Sequence, residues 1–296
     1  MGIRVNPDFY NDLVVSLGHL RQQEDRDLKQ LASGSRLNQI SDDPAAVADL
    51  VIMRSQSSET DQFLKNVLIV RGSLQLADSA LSSAVSVLNR AMALGTEGSN
   101  GTLTASNRQA IATEVRGIVQ QMVSLANTAY QGNYLFAGTA VTTAPFAVDP
   151  LTGAVTYQGN AASNSVQIGQ GQFTPTGLPG SQLFAQPGAD VFQALNDLAQ
   201  ALQSNGDVVG ATVAVQGAFK QVNQQRSFYG SAMSRLDAAQ QFLSSEQIRQ
   251  ASDISSLSSA DIAKVASDLS QVEIVKNTAL AAAARATQLH LLDYLK

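Results

Sequence analysis

Leu31-Ala-Ser-Gly-Ser-Arg36-Leu-Asn38-Gln-Ile-Ser41-Asp-Asp-Pro44-Ala-Ala-Val-Ala48 stops one helix and starts the next. Pro44 suits the first helical position, where its missing N–H would have no intrahelical partner in any case. Asp43, just before it, can cap the new helix, and Asp42 adds negative charge at the same end. Gly34 can close the preceding helix in a left-handed conformation. The stretch therefore predicts a helix ending near Leu31, a loop, and a helix beginning at Pro44.

Working outward, Leu13, Leu17, Leu20, Glu24, Asp27 and Leu31 step by four and three toward that loop. This stripe is apolar at its ends and polar in its middle. Helical stability comes mainly from packing the apolar face, so such a helix needs a partner. The far end of the chain carries a second single stripe: Ile262, Val265, Leu269 and Val272, then Val275, Ala279, Ala282, Ala286 and Leu289. The step from Val272 to Val275 predicts a slight shift of that stripe, and its alanine-rich half allows a partner backbone to approach closely. Two single-striped ends with the middle looped out predict a chain that closes on itself through its termini. The polar interruption at Glu24 and Asp27 makes that pairing weak, so the ends are expected to order on docking.

Between the ends, Leu64, Val67, Arg71, Leu74, Asp78, Leu81, Val85, Leu88 and Met92 keep heptad spacing and predict a long coiled-coil-like helix that stops in a turn at Gly95 to Gly101. A third helix is expected from about Ala105 to Tyr130. From Gly138 to about Pro187 the chain is rich in Gly, Thr, Ser, Pro and Asn, and runs such as Ala154–Tyr157 and Ser165–Ile168 read as short strands. Helix signals return at Asp190, which stands at capping spacing from Gln193. Asn205-Gly206 breaks that piece, and a long polar helix follows to about Ser256, with Val215, Phe219, Val222, Leu236, Leu243 and Ile248 as its apolar positions. The expected fold class is mainly α, a long antiparallel helical bundle or coiled coil formed by the N- and C-terminal parts, with a small β-rich insert.

Composition narrows the function. The 296 residues carry 19 Lys and Arg against 24 Asp and Glu, a net charge of −5, which disfavours a nucleic-acid partner. With no cysteine, a disulfide framework and a thiolate metal site are excluded. Only 5% of residues are aromatic and none is tryptophan, poor material for one large globular core. No uncharged apolar run is long enough to span a membrane, and Met1 to Asp8 lack the order of a cleavable signal peptide, so neither a membrane partner nor a leader is expected. His19 and His290 have no second histidine at helical spacing, no phosphate-binding loop or Gly-x-Ser-x-Gly occurs, and the carboxylates are scattered. No catalytic, metal or cofactor-binding residue is assigned, and the chain is read as a non-enzyme.

The stretch from Leu31 to Ala48 resembles the N-terminal signature of the flagellin superfamily, where a Leu-x-Ser-Gly-x-Arg-Ile/Leu-Asn run leads to Ser-Asp-Asp-Pro-Ala. Gly132-Asn-Tyr-Leu-Phe-Ala-Gly138 is similar to the run closing the helical part of such proteins. Ser258-Ser-Ala-Asp261-Ile-Ala263 and the ending Leu291-Leu-Asp-Tyr-Leu295 look like their C-terminal segment. That ending, Tyr157-Gln-Gly-Asn160 and Val191 to Leu198 resemble the hook–filament junction subfamily, and a short filament flagellin is the alternative. Met-Gly-Ile-Arg-Val-Asn at the start departs from both.

The resemblance implies a structural protein of the bacterial flagellum, serving motility. Residues 1–42 and 258–296 would pair as an inner tube, 43–138 and 190–257 would form a rod, and 139–189 would be an outward-facing insert. It implies flagellin and hook-associated protein 1 as neighbours, a homo-oligomeric ring, a flagellar export chaperone on the C-terminal helix, and type III export to an extracellular site without a cleaved signal. Assembly contacts are assigned to Leu13, Leu17, Leu20, Leu31, Val265, Leu269, Val272, Ala279, Leu289, Leu292 and Leu295. Each can equally pack within the subunit. The bend between shells is assigned to Arg36, Asn38, Asp42, Asp43 and Pro44. Leu88, Asn89, Arg90, Leu94 and Glu114 resemble positions read by a flagellin-sensing receptor, against the plainer reading of a helix face with one ion pair. A carbohydrate-binding insert would rely on Phe146, Tyr157, Phe173 and Phe184 for stacking.

Overall fold

A computed structural model describes the backbone of residues 9–294 and the side chains of residues 11–285. The elements run α1 (Phe9–Ser33), α2 (Pro44–Gly98), α3 (Ala105–Ala126), β1 (Ala129–Tyr130), β2 (Asn133–Tyr134), β3 (Phe146–Val148), β4 (Val155–Tyr157), β5 (Ser165–Gly169), β6 (Gln172–Pro175), α4 (Gly180–Leu183), α5 (Val191–Ser204), α6 (Val208–Ser258) and α7 (Ile262–Tyr294). The fold is mainly α with small antiparallel hairpins. Packing divides the chain into a terminal unit, residues 1–59 and 247–296, and a central unit, residues 60–246. The division falls inside α2 and α6 and not at a helix end.

In the central unit the buried seam of α2 is Val67, Val70, Leu74, Ala77, Leu81, Ala84, Leu88 and Ala91. The heptad read from sequence shares one column with it, Val67, Leu74, Leu81 and Leu88. Its second column, Arg71, Asp78, Val85 and Met92, lies half-buried at the edge. Alanine fills the true second column because the neighbouring helices come close there. The edge column is charged for a reason: Arg226 grips Asp78 through Nε at 2.9 Å and Nη2 at 3.2 Å. Arg71 donates to Gln240 at 2.6 Å and lies 3.6 Å from Asp237. Together these set α2 antiparallel to α6.

Helix α2 does not stop at Gly95 but runs to Gly98. A Cβ on Gly95 would collide with Thr212 of α6, and one on Gly98 with the buried Leu202 of α5. These glycines serve close approach within a helix, not a turn. Likewise α3 ends at Ala126, before the expected Tyr130. There Gln131 and Gly132, at φ 50° and 83°, form the two-residue turn that joins β1 to β2. Two caps follow the sequence reading. Asp190 accepts from the N–H groups of Phe192 and Gln193 at 2.8 and 2.9 Å, and left-handed Asn205 closes α5. In α6 the buried positions are Val208, Val215, Ala218, Val222, Tyr229, Ala232, Leu236, Leu243 and Gln250, whereas Phe219 is half-buried and Ile248 is exposed.

The insert is not one sheet. It holds two separate two-stranded hairpins, β3–β4 and β5–β6. Such hairpins are marginal alone, and an aromatic cluster anchors the first. Phe146 packs on Tyr157, Phe184 and Phe192 with ring centroids 5.1, 5.7 and 5.0 Å apart. Asn127 gives Phe146 a side-chain substitute for a strand partner, donating to its carbonyl and accepting from its N–H, both at 2.9 Å. The Tyr229 hydroxyl, wholly buried, accepts from the backbone N–H of Leu178 at 3.3 Å. Phe146 and Phe184 are thus committed to the core. Of the four aromatics available to a carbohydrate-binding insert only Phe173 is exposed. Leu88 and Leu94 are buried, and Arg90 meets Glu114 at 2.7 Å, as an ordinary helix-face ion pair would.

Two helical glycines, Gly98 at the end of α2 and Gly117 within α3, separate packing from propensity. Gly98→Ala forces a methyl against Leu202 and is expected to cost about 1–3 kcal/mol. Gly117→Ala meets nothing within 4 Å and is expected to gain about 0.5–1 kcal/mol. Urea denaturation of both variants decides this. A stabilising Gly98→Ala would contradict the close approach of α2 and α5.

Candidate assembly interface

Six residues of α1 face α7 in the order read from sequence. Leu13, Leu17, Leu20, Glu24, Asp27 and Leu31 are all half-buried, at four- and three-residue steps, while the residues between them are mostly exposed. On α7 the matching stripe is Val265, Leu269, Val272, Lys276, Ala279 and Ala283. The stripe does not shift at Val275, which is exposed. The 4–3 step carries straight on through Lys276, whose Nζ donates to both carboxylate oxygens of Glu24 at 2.8 and 2.6 Å. A charged residue therefore occupies a seam position that an apolar-only reading skips. Contacts between Glu24 and Lys276 and between the 35 and 259 positions make the pair antiparallel.

The assigned residues Leu13, Leu17, Leu20, Leu31, Val265, Leu269, Val272 and Ala279 are thus gathered at the seam inside the subunit. Leu289 and Leu292 lie outside the residues whose side chains are described, and Leu295 lies outside the described residues altogether. The open apolar residues of these helices are others. Ile262, read from sequence as the first step of the α7 stripe, is 48% exposed. Val14, Val15 and Leu28 on α1, with Ile274, Val275 and Leu280 on α7, are 44–66% exposed. They sit off the seam, and their signal in the sequence is an apolar side chain one or two places away from a 4–3 stripe.

At one end of the seam the chain makes two helix breaks side by side. Gly34, at φ +67°, ends α1, with its N–H on the carbonyl of Gln30. Ser35 and Ser259 form an isolated antiparallel bridge. The Arg36 N–H donates to Ser258 at 2.8 Å and the Ala260 N–H to Gly34 at 2.9 Å. The Arg36 side chain then spans two helix ends. Its Nε donates to the Leu257 carbonyl in the last turn of α6 at 3.0 Å, and its Nη1 lies 3.4 Å from Asp43. A cation at a helix C-terminus and a carboxylate at the N-terminus of the next are each favoured by the helix dipoles.

Asp43 also caps α2, accepting from the Ala46 N–H at 3.1 Å, and Pro44 opens that helix. The Ala46 N–H, followed by Arg36, holds the Asp43 carboxyl below the usual carboxylate range. Asp42 does not serve as a second helix charge. It organises the loop instead, accepting from the N–H groups of Asn38 and Gln39 at 2.9 and 2.8 Å. Asn38 in turn donates to the Ser35 carbonyl at 2.6 Å. On the other side of the clasp, Asp261 opens α7 by accepting from Ala263 and Lys264, both at 3.1 Å. Four of the residues assigned to the bend, Arg36, Asn38, Asp42 and Asp43, therefore lie in a hydrogen-bonded clasp, and Pro44 starts the helix that leaves it. Among the described residues no cluster of three potential metal ligands occurs, and no helix is long and apolar enough to cross a membrane.

Comparison with known proteins places this arrangement. The family model for the bacterial flagellin N-terminal helical region matches residues 16–141, and that for the C-terminal helical region matches residues 212–295. Flagellar hook-associated protein 3 of Salmonella typhimurium is 31% identical over 157 residues, 53% of this chain and 48% of that protein. The chain thus matches about half the length of that relative. A flagellin of Listeria monocytogenes is 29% identical over 265 residues, 88% of this chain and 87% of its own. Among solved structures, Xanthomonas campestris FlgL superposes with a TM-score of 0.62 at 20% identity, over 67% of this chain and 98% of that one. Hook-associated protein 3 of Legionella pneumophila gives 0.64 at 13% identity, over 70% and 98%. These likenesses are of fold.

Arg36→Lys keeps the charge but loses the forked donor, and is expected to destabilise by about 1 kcal/mol, one hydrogen bond. The Asp43 contribution is fully present above the carboxyl's unfolded-state value and is lost as pH falls through its lowered folded value. An NMR titration of the wild type and of Arg36→Lys measures both, and an Asp43 carboxyl titrating at or above the ordinary range would overturn the cap.

Proposed function

We propose, for a chain that belongs to the bacterial flagellin family, a structural role at the hook–filament junction of the flagellum, where it joins hook-associated protein 1 on one side to the flagellin filament on the other. The observation that carries an assembly role is the pairing of two terminal helices that bury one seam and leave Val14, Val15, Leu28, Ile274, Val275 and Leu280 open. Apolar side chains spread over the outer faces of a two-helix layer find burial only against further helices. Neighbouring copies offer them, and contacts between unlike faces of identical subunits build rings or tubes.

The junction position is supported by the match to hook-associated protein 3 and by the ending Leu291-Leu-Asp-Tyr-Leu295. In this reading residues 1–42 and 258–296 line the inner tube, 43–138 and 190–257 form the rod, and 139–189 face outward. Leu13, Leu17, Leu20 and Leu31, with Val265, Leu269, Val272, Ala279, Leu289, Leu292 and Leu295, hold the tube layer, and the clasp from Arg36 to Pro44 sets the bend. The subunit reaches its extracellular place through the flagellar export apparatus without a cleaved signal, with a chaperone on the C-terminal helix until export. A second reading is a short filament flagellin, favoured by the Listeria flagellin match, which runs over 88% of this chain.

Deletion of the gene, followed by electron microscopy of cells and of medium, separates the two. Hooks without filaments, with flagellin shed into the medium, are the expected result. Loss of filaments without shed flagellin, together with purified protein that polymerises alone, would establish the filament subunit instead.

A further inference from the structure

The seam between α1 and α7 carries a charged layer between its apolar steps. Glu24 and Lys276 fill one rung and satisfy each other, with side chains 20% and 28% exposed. Asp27 takes the next seam position of α1. Its Oδ2 is shut off from solvent and, among the described residues, has no hydrogen-bond partner. The charges that act on it are Asp268 from α7 and Arg26 from its own helix. Glu24 and Lys276, one turn away, are committed to each other. The charge facing Asp27 from across the seam is therefore of its own sign.

We propose that Asp27 and Asp268 form an opposed carboxylate pair that weakens the pairing of α1 with α7 near neutral pH, and that acid or the loss of either charge tightens it. Burying a carboxylate without a donor disfavours the charged form, and a second carboxylate adds to that. Desolvation first and Asp268 second push the Asp27 carboxyl up, with Arg26 opposing. The folded chain thus holds this proton to a higher pH than the unfolded chain does. Stability is gained as pH falls through the raised folded value, and the penalty is fully in place above it. The rung has the opposite sense to Glu24–Lys276, which favours the antiparallel register. One layer selects the alignment and the next keeps the grip loose. The device belongs to the single subunit, whatever its place in the flagellum.

Hydrogen exchange on the full-length chain at pH 7 and pH 5, expressed as protection relative to unstructured peptides, tests it with Asp27→Asn, Asp268→Asn and the double variant. Each single change should raise protection of α1 and α7 amides at pH 7, by about tenfold for a carboxyl displaced by one pH unit, and by less at pH 5. The double variant should gain less than the sum, because either change alone removes the repulsion. Glu24→Gln should act in the opposite direction, since it leaves Lys276 unpaired. Unchanged or lower protection in Asp27→Asn at pH 7, or full additivity, overturns the pair. So does a wild type without protection in α1 at either pH, for then no seam exists to be weakened.

Discussion

A helix packed against a single neighbour can bury one stripe and no more. That limit governs the terminal unit. No described residue of α1 is fully buried, and on the described part of α7 only Val265 and Val272 are. Fully burying a leucine is worth about 1.5–3 kcal/mol, and Leu13, Leu17, Leu20 and Leu31 realise only part of it. The central unit escapes the limit because α2, α3, α5 and α6 share a core in which Leu74, Leu81, Leu195, Leu198 and Tyr229 are wholly enclosed. One part of the chain is thus sufficient to itself, and the other leaves most of its helix surface open.

Small residues set the spacing in that self-sufficient part. Ala77, Ala84 and Ala91 of α2 and Ala218 and Ala232 of α6 lie in the core, and Gly95 and Gly98 bring α2 onto Thr212 and Leu202. Alanine and glycine permit many sliding alignments, so the register is written in charge at the edge of the seam. The two-pronged grip of Arg226 on Asp78 and the reach of Arg71 to Gln240 and Asp237 match only one alignment. Pairs at the solvent edge of a seam add little to stability, and their value is in excluding the shifted alternatives.

What was legible in the sequence was what local chemistry decides. The α1 stripe, the Asp43–Pro44 helix start, the Gly34 stop, the Asp190 cap and the Asn205 break each rest on a few adjacent residues and stand as read. What was not legible depends on neighbours distant in the chain. Alanine is apolar without being large, so a heptad weighted toward large apolar residues ran through Asp78, Val85 and Met92 and missed Ala77, Ala84 and Ala91. Lys276 belongs to a seam only because Glu24 faces it from α1. Gly95 reads as a turn until the methyl of Thr212 is seen beside it. The clasp was legible as a set of residues. The sharing of Arg36 between α6 and α2 was not, since Leu257 lies at the other end of the chain.

The hairpin from Phe146 to Tyr157 closes on itself through the Asp149 carboxylate, which accepts from the N–H groups of Leu151 and Thr152 at 2.8 and 3.2 Å and leaves Leu151 94% exposed. Most of what anchors this hairpin sits at its base, in the aromatic cluster and the Asn127 bridge, with one further tie where Asn196 of α5 donates to the Gly153 carbonyl at 3.3 Å. Leu151, at the outermost point, takes no part in the core. The free-energy cost of lengthening such a loop grows only with the logarithm of its length. This tip is a place where descendants of the chain can gain or exchange whole segments while the helical core stays as it is.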